Sequence, residues 1–153
     1  MQLIDATGNN VHLAVFVEPF LPFLLDGTKT VESRFSVNRC APYKAVRPAD
    51  VIPVKRKGGP IVAVAEVANV WFYELDKQTL RFIRSRFGLA LGVVDSSFWK
   101  SKSNACYATL MQLAQVELIT PLTCPKRDRR GWVVIREPNR QYSLEAVAGG
   151  SIL

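Results

Sequence analysis

Histidine is almost missing from this sequence: His12 is the single copy in 153 residues, and only three cysteines occur, Cys40, Cys106 and Cys124. The cysteines are odd in number, widely separated and without a Cys-x-x-Cys pair, which argues against a disulfide framework and against a zinc knuckle. One histidine is too few for the common histidine-based zinc sites, so metal chemistry would rest on carboxylates alone. Acids are scarce as well, with 13 Asp plus Glu against 20 Lys plus Arg and a formal charge of +7. Long apolar runs are absent: the best, Ile61 to Ala65, stops at Glu66, and Met1 to Asp5 has neither a basic segment nor an apolar core. No membrane span and no signal peptide are expected, and a cytoplasmic location follows by default.

What remains has globular proportions. Hydrophobic residues at 48% and charged residues at 22% argue against disordered, collagenous and coiled-coil chains. The length suits one domain over 1–153, burying on the order of two thirds of its unfolded surface without a staple. The expected core runs from about 12 to 136. Turn chemistry at Thr7-Gly8-Asn9-Asn10 and the Ala148-Gly149-Gly150-Ser151 segment mark 1–10 and 141–153 as peripheral.

The apolar run His12 to Val17 reads as a first strand. A short helix follows, with Pro19 at its start and Gly27 as the left-handed residue that ends it. In Thr30-Val31-Glu32-Ser33-Arg34-Phe35 the period of two sends Thr30, Glu32 and Arg34 to one face and Val31, Ser33 and Phe35 to the other. Val51 to Val54 and Ile61 to Val70 are β-branched runs joined by the turn Lys55-Arg56-Lys57-Gly58-Gly59-Pro60, which predicts a hairpin. Asp76 caps a predicted helix that runs to about Phe87 and stops at Gly88, with Leu80, Ile83 and Phe87 on its packed stripe. An irregular or short helical piece is expected around Ser96 to Lys102, then one or two strands over Tyr107 to Thr120 and a last one over Gly131 to Ile135. The sum is an α+β fold, a small and mostly antiparallel β-barrel with two to three peripheral helices.

The positive charge is clustered. Lys77, Arg81, Arg84, Arg86, Lys100 and Lys102 face only Asp95 between Asp76 and Glu117; two further clusters are Lys55-Arg56-Lys57 and Lys126-Arg127-Asp128-Arg129-Arg130. If these segments converge they form a surface that attracts phosphate, which points to RNA, single-stranded nucleic acid or a nucleotide as partner. Phe98, Trp99 and Tyr107 lie in the same segments. Trp99 and Tyr107 are the rings expected to stack unpaired bases.

The densest local feature is Gly27-Thr28-Lys29-Thr30-Val31-Glu32-Ser33-Arg34, which places an ammonium, a carboxylate and a guanidinium at one helix-to-strand corner. It is read either as a structural salt bridge or as a ligand clamp in which Lys29 and Arg34 grip an anion while Glu32 fixes them or accepts a proton. Glu66 interrupts an apolar strand and is a further candidate for the ligand site, with an ion pair as its structural role. His12 reads as a satisfied strand histidine.

The octet from Gly27 to Arg34 resembles the Gly-x-Lys-x-x-Glu-x-Arg signature of the ASCH family, the activating-signal-cointegrator homology domains, which have a PUA-like β-barrel. Ala49-Asp50-Val51-Ile52, Ala65-Glu66-Val67 and Gly131-Trp132-Val133-Val134-Ile135 resemble the family pattern in the same order, so the likeness spans roughly His12 to Ile135. The resemblance implies RNA or nucleotide binding in a cleft beside the barrel, with Lys29, Glu32 and Arg34 in that cleft. No cofactor is expected. One enzymatic branch of the family acts on acetylated cytidine with a lysine, a threonine and a glutamate. Its lysine corresponds to Lys29, the place of its threonine is taken by Glu32, and its glutamate lies near Glu74. Another branch is associated with RNA cleavage. The alternative expectation is therefore a hydrolase on nucleic-acid substrates, with Lys29, Glu32 and Glu74 as its catalytic groups.

Overall fold

In the computed structural model, residues 9–125 and 129–136 are described. The expected peripheral segments, apart from Asn9 and Asn10, and the cluster residues Lys126, Arg127 and Asp128 lie outside them. Strand β1 (Val11–Phe16) is buried on both faces, which is why it reads as an apolar run. Helix α1 (Phe20–Asp26) follows and ends at Gly27, whose φ of 86° closes the helix as the sequence predicts. Strand β2 (Val31–Ser36) leads through residues 37–50 to β3 (Val51–Arg56) and β4 (Ile61–Glu74), a hairpin turning at Gly58. Helices α2 (Lys77–Leu91) and α3 (Ser96–Ser101) precede β5 (Tyr107–Leu122) and β6 (Trp132–Arg136).

The strand order is β2-β5-β4-β3-β1-β6. Only β1 and β3 run parallel, and the other four pairings are antiparallel, as a mostly antiparallel sheet requires. Three register shifts along the long β4–β5 ladder bend the sheet into a half-barrel. Its concave side holds Phe16, Ile52, Val54, Ala65, Met111 and Trp132, closed by Leu21 and Leu24 of α1. The other side packs Val31, Ala108 and Leu110 against Ile83, Phe87 and Leu91 of α2 and Trp99 of α3.

Helix α2 outruns its expected end. Gly88 lies inside it and the left-handed stop is Gly92, with φ of 74°. Leu91 continues the Ile83–Phe87 stripe by one more turn into the core, and that burial outweighs the roughly 1 kcal/mol cost of an internal glycine.

His12 is completely buried and fully engaged. The Trp132 indole N–H donates to its Nδ1 at 3.0 Å, so Nδ1 is an acceptor and Nε2 carries the proton it shares with Asp50 at 2.9 Å. Asp50 also accepts from the backbone N–H groups of Arg47 and Asn10. This network ties β1 to β6 and to the loop that enters β3.

Candidate functional site

A cleft of about 740 Å³ opens where the two edge strands of the half-barrel approach each other. At its floor the strand period of two puts Glu32 and Arg34 on one face of β2, and the α1–β2 turn delivers Lys29 beside them. The trio is internally saturated. Glu32 Oε1 accepts from Lys29 Nζ at 3.1 Å and from the Ser33 N–H at 3.0 Å, while Oε2 accepts from Arg34 Nε at 3.1 Å and Nη2 at 2.7 Å.

Each cation also has a structural task. Lys29 Nζ donates to the Leu91 carbonyl at 2.8 Å, placing its charge on the C-terminal end of α2, where the helix dipole favours a cation. Arg34 donates from Nη2 to Val15 O and from Nη1 to Gly131 O, both at 2.9 Å. Those carbonyls belong to β1 and to the residue before β6, so Arg34 staples edge strand β2 across the open seam. Its guanidinium lies 5.3 Å from the ring centres of both Phe16 and Trp132. Gly131 is needed for that approach, since a Cβ there would stand 3.0 Å from Nη1.

Electrostatics follow from this packing. Burial pushes the Glu32 carboxyl up, but Arg34 and Lys29 together outweigh it and hold it below the ordinary glutamate value. Burial lowers Lys29, with Glu32 opposing the shift. Glu32 therefore stays ionised, and proton acceptance by it would require breaking four satisfied contacts. A group whose folded pKa is depressed contributes stability above its unfolded pKa and loses it as pH falls through the folded value. The stability gap between the wild type and Glu32→Gln is accordingly expected to shrink on acidification below the ordinary carboxylate range. Urea midpoints measured across that range check this, and a gap independent of pH would contradict it.

Above the floor the lining is basic and aromatic. Lys55 and Lys57 come from the β3–β4 hairpin, Arg129 and Arg130 from the segment before β6, and Lys102 from the end of α3. With Lys29 and Arg34 that makes, among the described residues, seven basic side chains against one carboxylate. Among the described residues, the side chains of Lys57, Lys102 and Arg129 make no hydrogen bond or ion pair. Lys102 stands over the rings of Phe98 at 4.9 Å and Phe35 at 5.4 Å. Burial lowers its pKa; Glu32 opposes that shift and Arg34 adds to it. Phe20 and Phe98 complete the wall, 5.8 Å apart and edge to face.

Several expected site residues lie elsewhere. Trp99 is 6% exposed inside the core beneath α2, with no face left for a base. Its neighbour Phe98 takes the cleft position, because a helix sends adjacent residues about 100° apart. The spacing of four between Phe98 and Lys102 was the available signal, since it stacks the cation on the ring. Glu66 is exposed on the strand face opposite the buried Ala65 and Val67, where no pairing is demanded. Glu74 is exposed at the far end of β4 and outside the cleft, in register with Tyr107. Tyr107 is half-buried in a separate aromatic group with Tyr43. Arg56 turns away to pair with Glu18, and Lys77, Arg81, Arg84 and Lys100 are exposed on the helices outside the cleft.

Among the described residues, no group of three or more His, Cys, Asp and Glu side chains is placed to hold a metal ion. No helix among them is long and apolar enough to cross a membrane.

No protein-family model matches the sequence, and no curated protein matches it. Solved structures do match. An ASCH protein of Zymomonas mobilis is similar with a TM-score of 0.64 over 82% of this chain and 87% of that one, at 14% identity. Two single-substitution variants of the Zymomonas mobilis protein each give 0.62, at 14% and 13% identity, over 84% of this chain and 91% and 89% of theirs. The chain has an ASCH fold. Within it, the lysine, glutamate and arginine of the octet form the seam of the barrel, and among the described residues the unpaired cations of the cleft, Lys57, Lys102 and Arg129, come from three other segments.

Proposed function

We propose that the cleft of this ASCH fold binds RNA, or a nucleotide piece of it. The observation that carries the reading is the unpaired basic rim of Lys57, Lys102 and Arg129 around a cavity walled by Phe20 and Phe98. A volume of about 740 Å³ lies within the usual range of about 300–1,000 Å³ for small-molecule pockets. Phosphate groups meet the rim cations while an unpaired base lies against the rings. The Lys29–Glu32–Arg34 trio supports this arrangement from below as a fixed positive floor.

Fluorescence titration of a labelled single-stranded RNA tests it. Lys57→Glu combined with Arg129→Glu is expected to weaken binding by at least about 100-fold, since hydrogen bonds to charged groups contribute about 1.5–3 kcal/mol each. Lys77→Glu with Arg81→Glu changes charge equally, but near the start of α2, roughly 15 to 20 Å along the helix from the Leu91 carbonyl. That pair is expected to change affinity by less than about threefold, because charges beyond a Debye length of about 8–10 Å are largely screened. Equal losses in the two pairs would show diffuse attraction and remove the cleft from the reading. Turnover of labelled RNA or of acetylated cytidine by the wild type would instead make the cleft catalytic.

A further inference from the structure

A second group of rings and cations lies outside the cleft. Tyr43, Phe72 and Tyr107 come from three separate segments, with ring centres 5.6 Å apart for Tyr43–Phe72 and 4.9 Å for Tyr43–Tyr107. Two cations overlie them. Arg39 stands 5.4 Å from the Tyr43 ring centre and 5.7 Å from that of Tyr107, and Lys44 stands 5.1 Å from Phe72. Among the described residues, neither cationic side chain makes a hydrogen bond or ion pair. Both residues are exposed, whereas Tyr43 is 9% exposed and anchors the group. Lys44 is held at φ of 58°, a left-handed conformation uncommon for lysine that the folded loop must enforce.

Register places this group beside the cleft. Arg34, Thr109 and Phe72 are matched across β2, β5 and β4, and the next row on that face contains Ser36, Tyr107 and Glu74. Successive same-face rows are two residues, about 6.6 Å, apart. The aromatic group therefore begins with Phe72 in the row of Arg34, at the cleft floor, and continues with Tyr107 one row further on. Residues 37–45 fold back over it through turns in which Cys40 N–H donates to Asn38 O and Tyr43 N–H to Cys40 O.

We propose that Tyr43, Phe72 and Tyr107, with Arg39 and Lys44, form a second subsite that holds a further nucleotide of a single-stranded RNA whose neighbouring portion occupies the cleft. The inference rests on the cleft's being an RNA site. Rings supply sequence-tolerant stacking, and an arginine plane already lying over a ring can stack a base or meet a phosphate. Glu74, the acid in the Tyr107 row, leaves the group net positive and offers an acceptor to an exocyclic amine.

Ligand length separates the two sites. Uridine 5′-monophosphate reports the cleft alone, while an eight-nucleotide oligouridine reaches both. The paired change Arg39→Gln with Lys44→Gly removes both cations and keeps a residue suited to positive φ at 44. It is expected to weaken octamer binding about tenfold and to leave the mononucleotide within about twofold. Tyr107→Leu, which keeps apolar bulk without the ring, is expected to act the same way, with an unchanged urea midpoint confirming the fold. Equal losses for mononucleotide and octamer, or no loss for either, would overturn the second subsite. Wild-type binding of the mononucleotide with no gain for the octamer would sink this subsite and leave the cleft standing; no binding of either would remove both. Displacement of the octamer by polyglutamate of equal charge would show that Arg39 and Lys44 read charge alone, which rejects stacking.

Discussion

Replacing Glu32 by glutamine is expected to destabilise the protein by about 3–5 kcal/mol, the typical cost of breaking a buried ion pair by removing one partner. Glu32 and Lys29 are 7% and 3% exposed, and among the described residues Glu32 is the one carboxylate that both Lys29 and Arg34 contact. Its loss leaves two cations without a counter-charge at the corner where α1, β2, the end of α2 and the barrel seam meet. At about 2–4 °C per kcal/mol for a chain of this size, the thermal midpoint should fall by roughly 6–20 °C. Glu66→Gln, an exposed change of the same chemistry, is expected to stay within about 0.5 kcal/mol. Chemical denaturation of the two variants decides: equal effects would mean that the trio is a surface ion pair with no structural role. Alanine at Lys29 or Arg34 carries a similar penalty, so loss of binding in those variants cannot be separated from loss of fold. Tests of recognition belong on the rim.

RNA affinity is expected to fall about twentyfold when monovalent salt rises from about 50 to 200 mM. The figure comes from counting which cations can meet phosphate. Lys29 and Arg34 are committed to Glu32, Arg56 to Glu18, and buried Lys55 to the Arg56 carbonyl at 3.2 Å. Arg130 is also engaged within the protein, and among the described residues Lys57, Lys102 and Arg129 remain as rim cations without such partners. For single strands the logarithm of affinity falls by about 0.7 per neutralised phosphate per decade of salt, so three contacts give a slope of about −2. All seven cleft cations acting together would give about −5 and a loss approaching a thousandfold over the same range. A slope near zero would reject phosphate recognition, and one near −5 would show that the trio opens to the ligand.

The local elements were largely legible in the chain. Period-two alternation in β2, the β-branched hairpin around Gly58 and the glycine stop of α1 are each decided by residues within a few positions, so short-range physics suffices. The boundary of α2 was not legible, because Gly88 and Gly92 offer the same local stop. Which one acts depends on whether Leu91 finds a core to enter. Trp99 and Phe98 could not be told apart as cleft ring and core ring for a similar reason: a six-residue helix has too few turns for periodicity to orient it. Glu66 and Glu74 drew attention as acids beside apolar stretches, yet both sit on solvent-facing positions that only the completed sheet reveals.

By itself the sequence determined the excess of positive charge, the order of strands and helices, and the adjacency of Lys29, Glu32 and Arg34. Those are properties of composition and near neighbours. Only the tertiary structure decided which cations are spent on one another and which face a ligand, because that depends on carbonyls 62 and 97 positions away, Leu91 for Lys29 and Gly131 for Arg34. A buried charge takes whatever partner the fold delivers to it, and no local pattern in the chain encodes that distance.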